Sequence, residues 1–289
     1  MEHSDTIPSR IPRNKNIMKS AIIKISFLLL TIFFATMQPA TAQDFIAHRG
    51  TVPDSYNFWF HHPEEIHDRN AHFPLLIFLH GASLCGKNLD KVKRYGPISA
   101  VARGANIDCY IMAPQNPGGS WNPQKIWKIV EWAKENYSVD TTRIYVYGMS
   151  LGGYGTIDMA ATYPDKIAAA MAMCGGATVR DLSGLSKLPL WIIHGTADRA
   201  VSVNESDKVV EAIQNTGDDS RLIYTRLPGA DHGRPARCFY MLQTYDWLFS
   251  HSTKDPGREV CRDFKLDNEM LDNAYQDLRK TDSEGSLDF

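Results

Sequence analysis

The chain has 289 residues, 43% of them hydrophobic, 10% aromatic and 22% charged, which supplies one sizeable core and excludes disorder, collagen and coiled coil as descriptions of the whole. Its 31 basic residues against 33 acidic ones give a formal charge of −2, with no long basic run in the folded part. Phosphate-backbone binding is therefore not its main task, and nucleic acid is not an expected partner.

The strongest apolar run comes first, at residues 25–37, with Lys19 and Lys24 before it and Ala40-Thr41-Ala42 after it. Basic flank, short apolar stretch and small-x-small site together read as a secretory signal peptide over residues 1–42, cut after Ala42. A spanning helix wants about 20 apolar residues, and Gln38 and Pro39 end this run sooner, so no stable membrane insertion is expected after the leader is removed. Residues 1–17 are polar and precede Met18, so they read as an upstream extension of the leader. Cleavage would remove five basic and two acidic residues and take the formal charge to −5. The expected location is secreted or periplasmic.

From residue 56 the pattern alternates. Residues 56–61 read as a half-buried edge strand, and the near-continuous apolar runs 73–79, 109–113, 143–147, 167–173 and 188–194 read as strands buried on both faces, as parallel strands are. Residues 222–227 are a further strand. Amphipathic segments at 122–136, 151–163, 206–215 and 235–250 read as helices between them, with short connections. The expectation is one α/β domain over residues 43–251, a doubly wound, mostly parallel sheet without a cap domain. Residues 252–289 form a polar tail in which Leu266, Met270, Leu271, Tyr275 and Leu278 allow one helix, docked or loose.

Five cysteines, Cys85, Cys109, Cys174, Cys238 and Cys261, show neither a disulfide framework nor a metal clamp. They read as buried thiols with at most one bridge, such as Cys238 to Cys261. The histidines His61, His62, His67 and His72 have no carboxylate at ligand spacing and read as surface. No cofactor and no metal are implied.

The sharpest motif is Gly148-Met149-Ser150-Leu151-Gly152, which follows a strand and opens a helix. A nucleophile on so tight a turn tolerates only small neighbours, and the helix behind it aims free N–H groups at a reacting carbonyl. Ser150 is then the nucleophile and the Leu151 N–H an oxyanion donor. A serine hydroxyl needs a base oriented by an acid. His232 follows the last strand, and Asp198 follows the strand 188–194, which gives the order Ser, Asp, His. Asp231 competes with Asp198 as the acid, although its adjacency to His232 makes it the poorer orienter. The loop His80-Gly81-Ala82-Ser83 should offer the Ala82 N–H as the second oxyanion donor. His80 and His194, at strand ends, read as loop-ordering. Trp121 reads either as a stacking face for a sugar or aromatic acyl group or as a packing aromatic at a helix start.

With these residues in hand, the chain resembles the α/β-hydrolase superfamily, most closely its small secreted esterases and prolyl-oligopeptidase-like hydrolases of the dienelactone hydrolase and carboxylesterase type. Phe78-Leu79-His80-Gly81, Met112-Ala113-Pro114-Gln115 with Trp121, Gly148 to Gly153, His194-Gly195-Thr196-Ala197-Asp198 and Asp231-His232-Gly233 carry the likeness, over residues 56–250. The resemblance implies an acyl-enzyme hydrolase with Ser150, Asp198 and His232 as triad. Dienelactone hydrolases use Cys where this chain has Ser150, so their substrate is not carried over. Many relatives insert a lid near residues 175–187, where this chain has only a short connection, which implies an open, shallow site. The first expectation is a serine carboxylesterase acting on small-molecule or glycan esters, such as acetyl or feruloyl esters of polysaccharide. A peptidase is the alternative, weakened because the chain has no room for a gating propeller, and a non-catalytic binding domain is the third.

Overall fold

The computed structural model describes residues 45–63 and 71–279. The expected leader and His67 lie outside the described residues. Eight strands form one sheet in the order β1-β2-β4-β3-β5-β6-β7-β8. They are β1 (Phe45–His48), β2 (Phe58–His61), β3 (Phe73–Leu79), β4 (Tyr110–Pro114), β5 (Val139–Met149), β6 (Ala169–Met173), β7 (Leu190–Gly195) and β8 (Leu222–Leu227). The two pairings that include β2 are antiparallel and all the others are parallel.

Both faces of the parallel part are covered, which is why its strands read as unbroken apolar runs. Leu75, Ile77, Ile144, Val146, Leu190 and Ile192 point to one layer, closed by helices α2 (Pro123–Asn136), α3 (Leu151–Thr162) and α4 (Asn204–Gln214). Their alternates, among them Leu76, Phe78, Tyr145, Tyr147, Trp191 and Ile193, point to the other layer. That layer is closed by α1 (Pro97–Ala102), the 3₁₀ segment Arg234–Tyr240, α5 (Leu242–Phe249) and the tail. The sheet and its flanking helices make the α/β-hydrolase fold. Between β6 and β7 the described structure holds loop and one short 3₁₀ segment, Ser183–Lys187, with no cap. Among the described residues no helix is long and apolar enough to cross a membrane.

Several expectations are corrected. β5 begins at Val139, earlier than residue 143, because its polar start still pairs Val139 with Phe73 while Asp140 accepts the Thr142 N–H at 2.9 Å. Pro74 has no N–H for this ladder, and the register shifts between Phe73 and Leu75. The helix expected at 235–250 is two elements, because the 3₁₀ segment ends at Tyr240 and Met241, buried like the three residues before it, takes an extended backbone (φ −105°, ψ 114°) before α5 begins at Leu242. β1 was not read from the sequence at all. His61 is buried in β2 instead of lying on the surface. All five cysteines are free, so Cys238 and Cys261 are not bridged. The tail docks, through α6 (Asn268–Asp272) and α7 (Gln276–Arg279), with Leu271 fully buried.

Candidate active site

β5 passes at Met149 directly into α3, and Ser150 between them adopts φ 59°, ψ −123°. A left-handed non-glycine residue costs of order 1–3 kcal/mol and persists only where the surroundings hold it. Here the Ser150 N–H donates to Met173 O at 2.8 Å. The glycines around it are sterically required. A Cβ on Gly148 would stand 2.3 Å from Gly152 O, one on Gly152 1.8 Å from Leu79 O, and one on Gly153 2.3 Å from Met173 O. The helix start is thus pressed against three strand ends, and the serine side chain is forced outward.

Two further loops leave the same edge of the sheet. The loop after β7 and the loop after β8 are tied together by Thr196 N–H to Leu227 O at 2.9 Å, Ala197 N–H to Ala230 O at 3.0 Å and Gly229 N–H to the Thr196 hydroxyl at 2.8 Å. Gly195 permits this closeness, since a Cβ there would meet Ala230 O at 2.3 Å. The result brings Ser150, His232 and Asp198 together. His232 Nε2 lies 3.0 Å from Ser150 Oγ, and its Nδ1 lies 2.6 Å from Asp198 Oδ2.

Asp198 has a fully buried side chain, and its other oxygen accepts the N–H groups of Ala200 at 2.8 Å and Val201 at 2.9 Å. Burial pushes its carboxyl up, but the Val201 amide, His232 and the Ala200 amide outweigh this and hold it below the ordinary carboxylate range. An ionised Asp198 keeps the His232 ring proton on Nδ1, which leaves Nε2 to accept from the Ser150 hydroxyl. Asp231 is spent elsewhere, accepting from the Gly233 and Arg234 N–H groups at 3.1 and 3.0 Å.

His194 is buried on the far side of Asp198, with Nε2 3.0 Å from Val201 O and 3.2 Å from Asp198 Oδ2, and Nδ1 2.7 Å from the Ser206 hydroxyl. Burial lowers its pKa. Cys174 comes within 4.8 Å of both His194 and Asp198. This trio is a poor metal cage, because the Asp198 oxygens are already taken and burial raises the thiol pKa far above its ordinary value.

A cavity of about 580 Å³ opens at Ser150 and is lined chiefly by apolar surface from Tyr95, Met149, Leu151, Tyr154, Val201 and Ala236. Leu151 opens α3 at this cavity, where helix N–H groups lack intrahelical partners. Gly81 and Ala82 line it from the loop after β3. The Gly81 N–H is committed to the Tyr95 hydroxyl at 2.6 Å, while Ala82 begins the 3₁₀ segment Ala82–Leu84. His80 orders this loop from below. Its Nδ1–H donates to Gly81 O at 2.7 Å, its Nε2 accepts the Asn116 N–H at 3.1 Å, and burial pushes its pKa down to about 4.

Trp121 does not line the cavity. It is 3% exposed, donates its indole N–H to His80 O at 3.2 Å and packs edge-on to Tyr56 and His80, with Gly155 bare beneath it. The stacking face expected for substrate is therefore corrected to the packing reading. Tyr95, Tyr154, Val201 and Ala236 escaped the sequence reading, since they lie outside the motifs and reach the cavity only through the fold.

Residues 122–237 match the Dienelactone hydrolase family. The chain is 29% identical over 150 residues to poly(3-hydroxyalkanoate) depolymerase C of Paucimonas lemoignei, covering 45% of this chain and 34% of that protein. It is 34% identical over 149 residues to a probable acetylxylan esterase A of Aspergillus clavatus, covering 52% and 44%. The matches therefore span less than half of either relative. Among solved structures it is similar to a thermostable esterase at 27% identity and a TM-score of 0.62, covering 73% of this chain and 64% of that one. The chain thus has the α/β-hydrolase fold, and its residues 122–237 match the Dienelactone hydrolase family model.

Proposed function

We propose that the protein is a serine hydrolase that cleaves carboxylic esters through an acyl-enzyme, with short acyl esters of polysaccharide, acetyl above all, as its substrate class. The observation that carries this reading is the chain of contacts from Asp198 through His232 to Ser150, at 2.6 and 3.0 Å. Likeness to enzymes named acetylxylan esterase supports the acyl group and the polymer. The uncapped cavity suits an acyl group presented on a bulky soluble substrate.

In the first step Ser150 Oγ attacks the carbonyl carbon while its proton passes to His232 Nε2, and the oxyanion accepts from the Leu151 and Ala82 N–H groups. The C–O bond then breaks, and the imidazolium returns the proton to the leaving alkoxide. Water, deprotonated by His232, attacks the acyl-enzyme and releases the carboxylic acid, with the proton restored to Ser150. Asp198 holds the ring and stabilises its charged form throughout. Residues 1–42 act in this reading as an export leader, which places the enzyme where polysaccharide is met.

The test compares residues 43–289 with the Ser150→Ala variant on p-nitrophenyl acetate, longer-chain p-nitrophenyl esters, acetylated xylan and aminoacyl-p-nitroanilides. Acetyl release that falls at least about 10³-fold in the variant is the expected result. Amide cleavage without ester cleavage would replace this reading with a peptidase, and an unlabelled Ser150 after fluorophosphonate treatment would replace it with a binding role.

A further inference from the structure

His232 stands on an exposed stretch, residues 228–233, that contains two glycines and only one buried residue, Ala230. Catalysis asks for a base held within about 0.5 Å of its productive position, and so short and open a loop holds little of itself in place. Its front is tied to Thr196 and Ala197. Its back is gripped by the tail.

Asn268 is the key contact. Its side-chain amide donates to Pro228 O at 2.9 Å, four residues before His232, and its backbone oxygen accepts from Arg234 Nη2 at 2.7 Å, two residues after it. One tail residue therefore spans the loop from end to end. Asp272 adds a second grip, with its Oδ1 2.8 Å from Arg234 Nη1 and 3.3 Å from Arg237 Nη1, and Arg237 also donates to Leu271 O at 3.2 Å. The segment that makes these contacts is anchored by burial. Leu271, Ala274 and Leu278 are 0%, 3% and 5% exposed, Tyr275 packs on Tyr240 at 4.8 Å, and the Asp267 carboxylate caps α6 by accepting the Met270 N–H at 2.9 Å. The apolar anchor sets where the tail lies, and the polar contacts carry that position to the loop.

We propose that residues 267–278 are a positioning brace for His232, with Asn268 and Asp272 as its positioning residues; this rests on the catalytic reading of Ser150, Asp198 and His232. None of the brace residues lines the cavity at Ser150. Loosening it should therefore slow proton transfer and leave substrate binding alone. Asp272 is largely exposed, so the ion pairs themselves add little stability, and loss of rate should exceed loss of fold.

The test uses the full chain, with the double variant Asn268→Ala/Asp272→Ala, the single variant Leu271→Ala, and Asp218→Asn as a control that breaks an ion pair with Arg221 elsewhere on the surface. kcat and KM for p-nitrophenyl acetate, the pH–rate profile, the rate of fluorophosphonate labelling at Ser150 and thermal unfolding are measured together. The expected result is a fall of about 10-fold or more in kcat and in labelling rate for the double variant, with KM within about 2-fold, a displaced acid limb of the pH profile, and recovery in Asp272→Glu with Asn268 intact. Leu271→Ala should show the same signature, and Asp218→Asn should match the wild type. A double variant with wild-type kcat and labelling, or one whose loss only follows its unfolded fraction, overturns the brace. A wild-type protein that neither hydrolyses ester nor labels at Ser150 overturns the catalytic reading itself.

Discussion

Acid should disable this protein through His80, one of the most deeply buried histidines in the structure. The imidazole is completely buried under the loop that carries Gly81 and Ala82, and it is held neutral, with a folded pKa of about 4 against an ordinary 6.5. As pH falls below 6.5 the unfolded chain takes up this proton before the folded one does. The stabilisation is thus complete above pH 6.5 and drains away as pH falls toward 4. Linkage with these two values removes about 2 kcal/mol by pH 5 and about 3 kcal/mol by pH 4. The perturbation that isolates this contribution is His80→Asn, whose amide nitrogen can keep the bond to Gly81 O while the Asn116 N–H loses its acceptor. That loss costs about 1–3 kcal/mol at every pH, so the variant should start less stable yet fall less steeply. Urea unfolding at pH 7.5, 6, 5 and 4 measures both slopes. Parallel loss of stability in the two proteins from pH 7.5 to pH 4 would refute the reasoning.

Other consequences follow from the same geometry. Asp198→Asn should lower kcat by about 10⁴-fold with KM little changed, because an amide cannot hold His232 in the tautomer that accepts from Ser150; steady-state kinetics on p-nitrophenyl acetate test it. Gly152→Ala should destabilise the protein by at least about 1–3 kcal/mol, despite the better helix propensity of alanine, because the new Cβ meets backbone oxygen at 1.8 Å; denaturant unfolding gives the sign. Trp121→Ala should lose about 3–5 kcal/mol of stability and leave KM for a short ester unchanged, whereas a large rise in KM without loss of stability would restore the stacking role.

Much of the architecture was legible because strands buried on both faces must be written as unbroken apolar runs, and because a strand-to-helix turn around a side chain must be written in glycine. The runs around Leu76, Val146 and Ile192 and the glycines beside Ser150 are direct imprints of those constraints. Asp198 and His232 were legible for a related reason, since each follows its own strand and parallel strands end at one edge. Local sequence could not say where the chain turns for tertiary reasons. The helix expected across Cys238 to Tyr240 breaks where Met241 turns to an extended backbone to bury its side chain, and β1 stays hidden in the sequence because it is a four-residue edge strand with no buried residue. Trp121 and His61 show the same limit. A tryptophan at a helix start serves for stacking or for packing and a histidine suits a surface, and only the packing of Tyr56 and Gly155 on Trp121 and the pairing of β2 around His61 puts them inside. The tail is the clearest case: its sparse apolar residues cannot bury themselves, so its docking, and with it the grip of Asn268 on the His232 loop, exists only once the rest of the fold has supplied a surface.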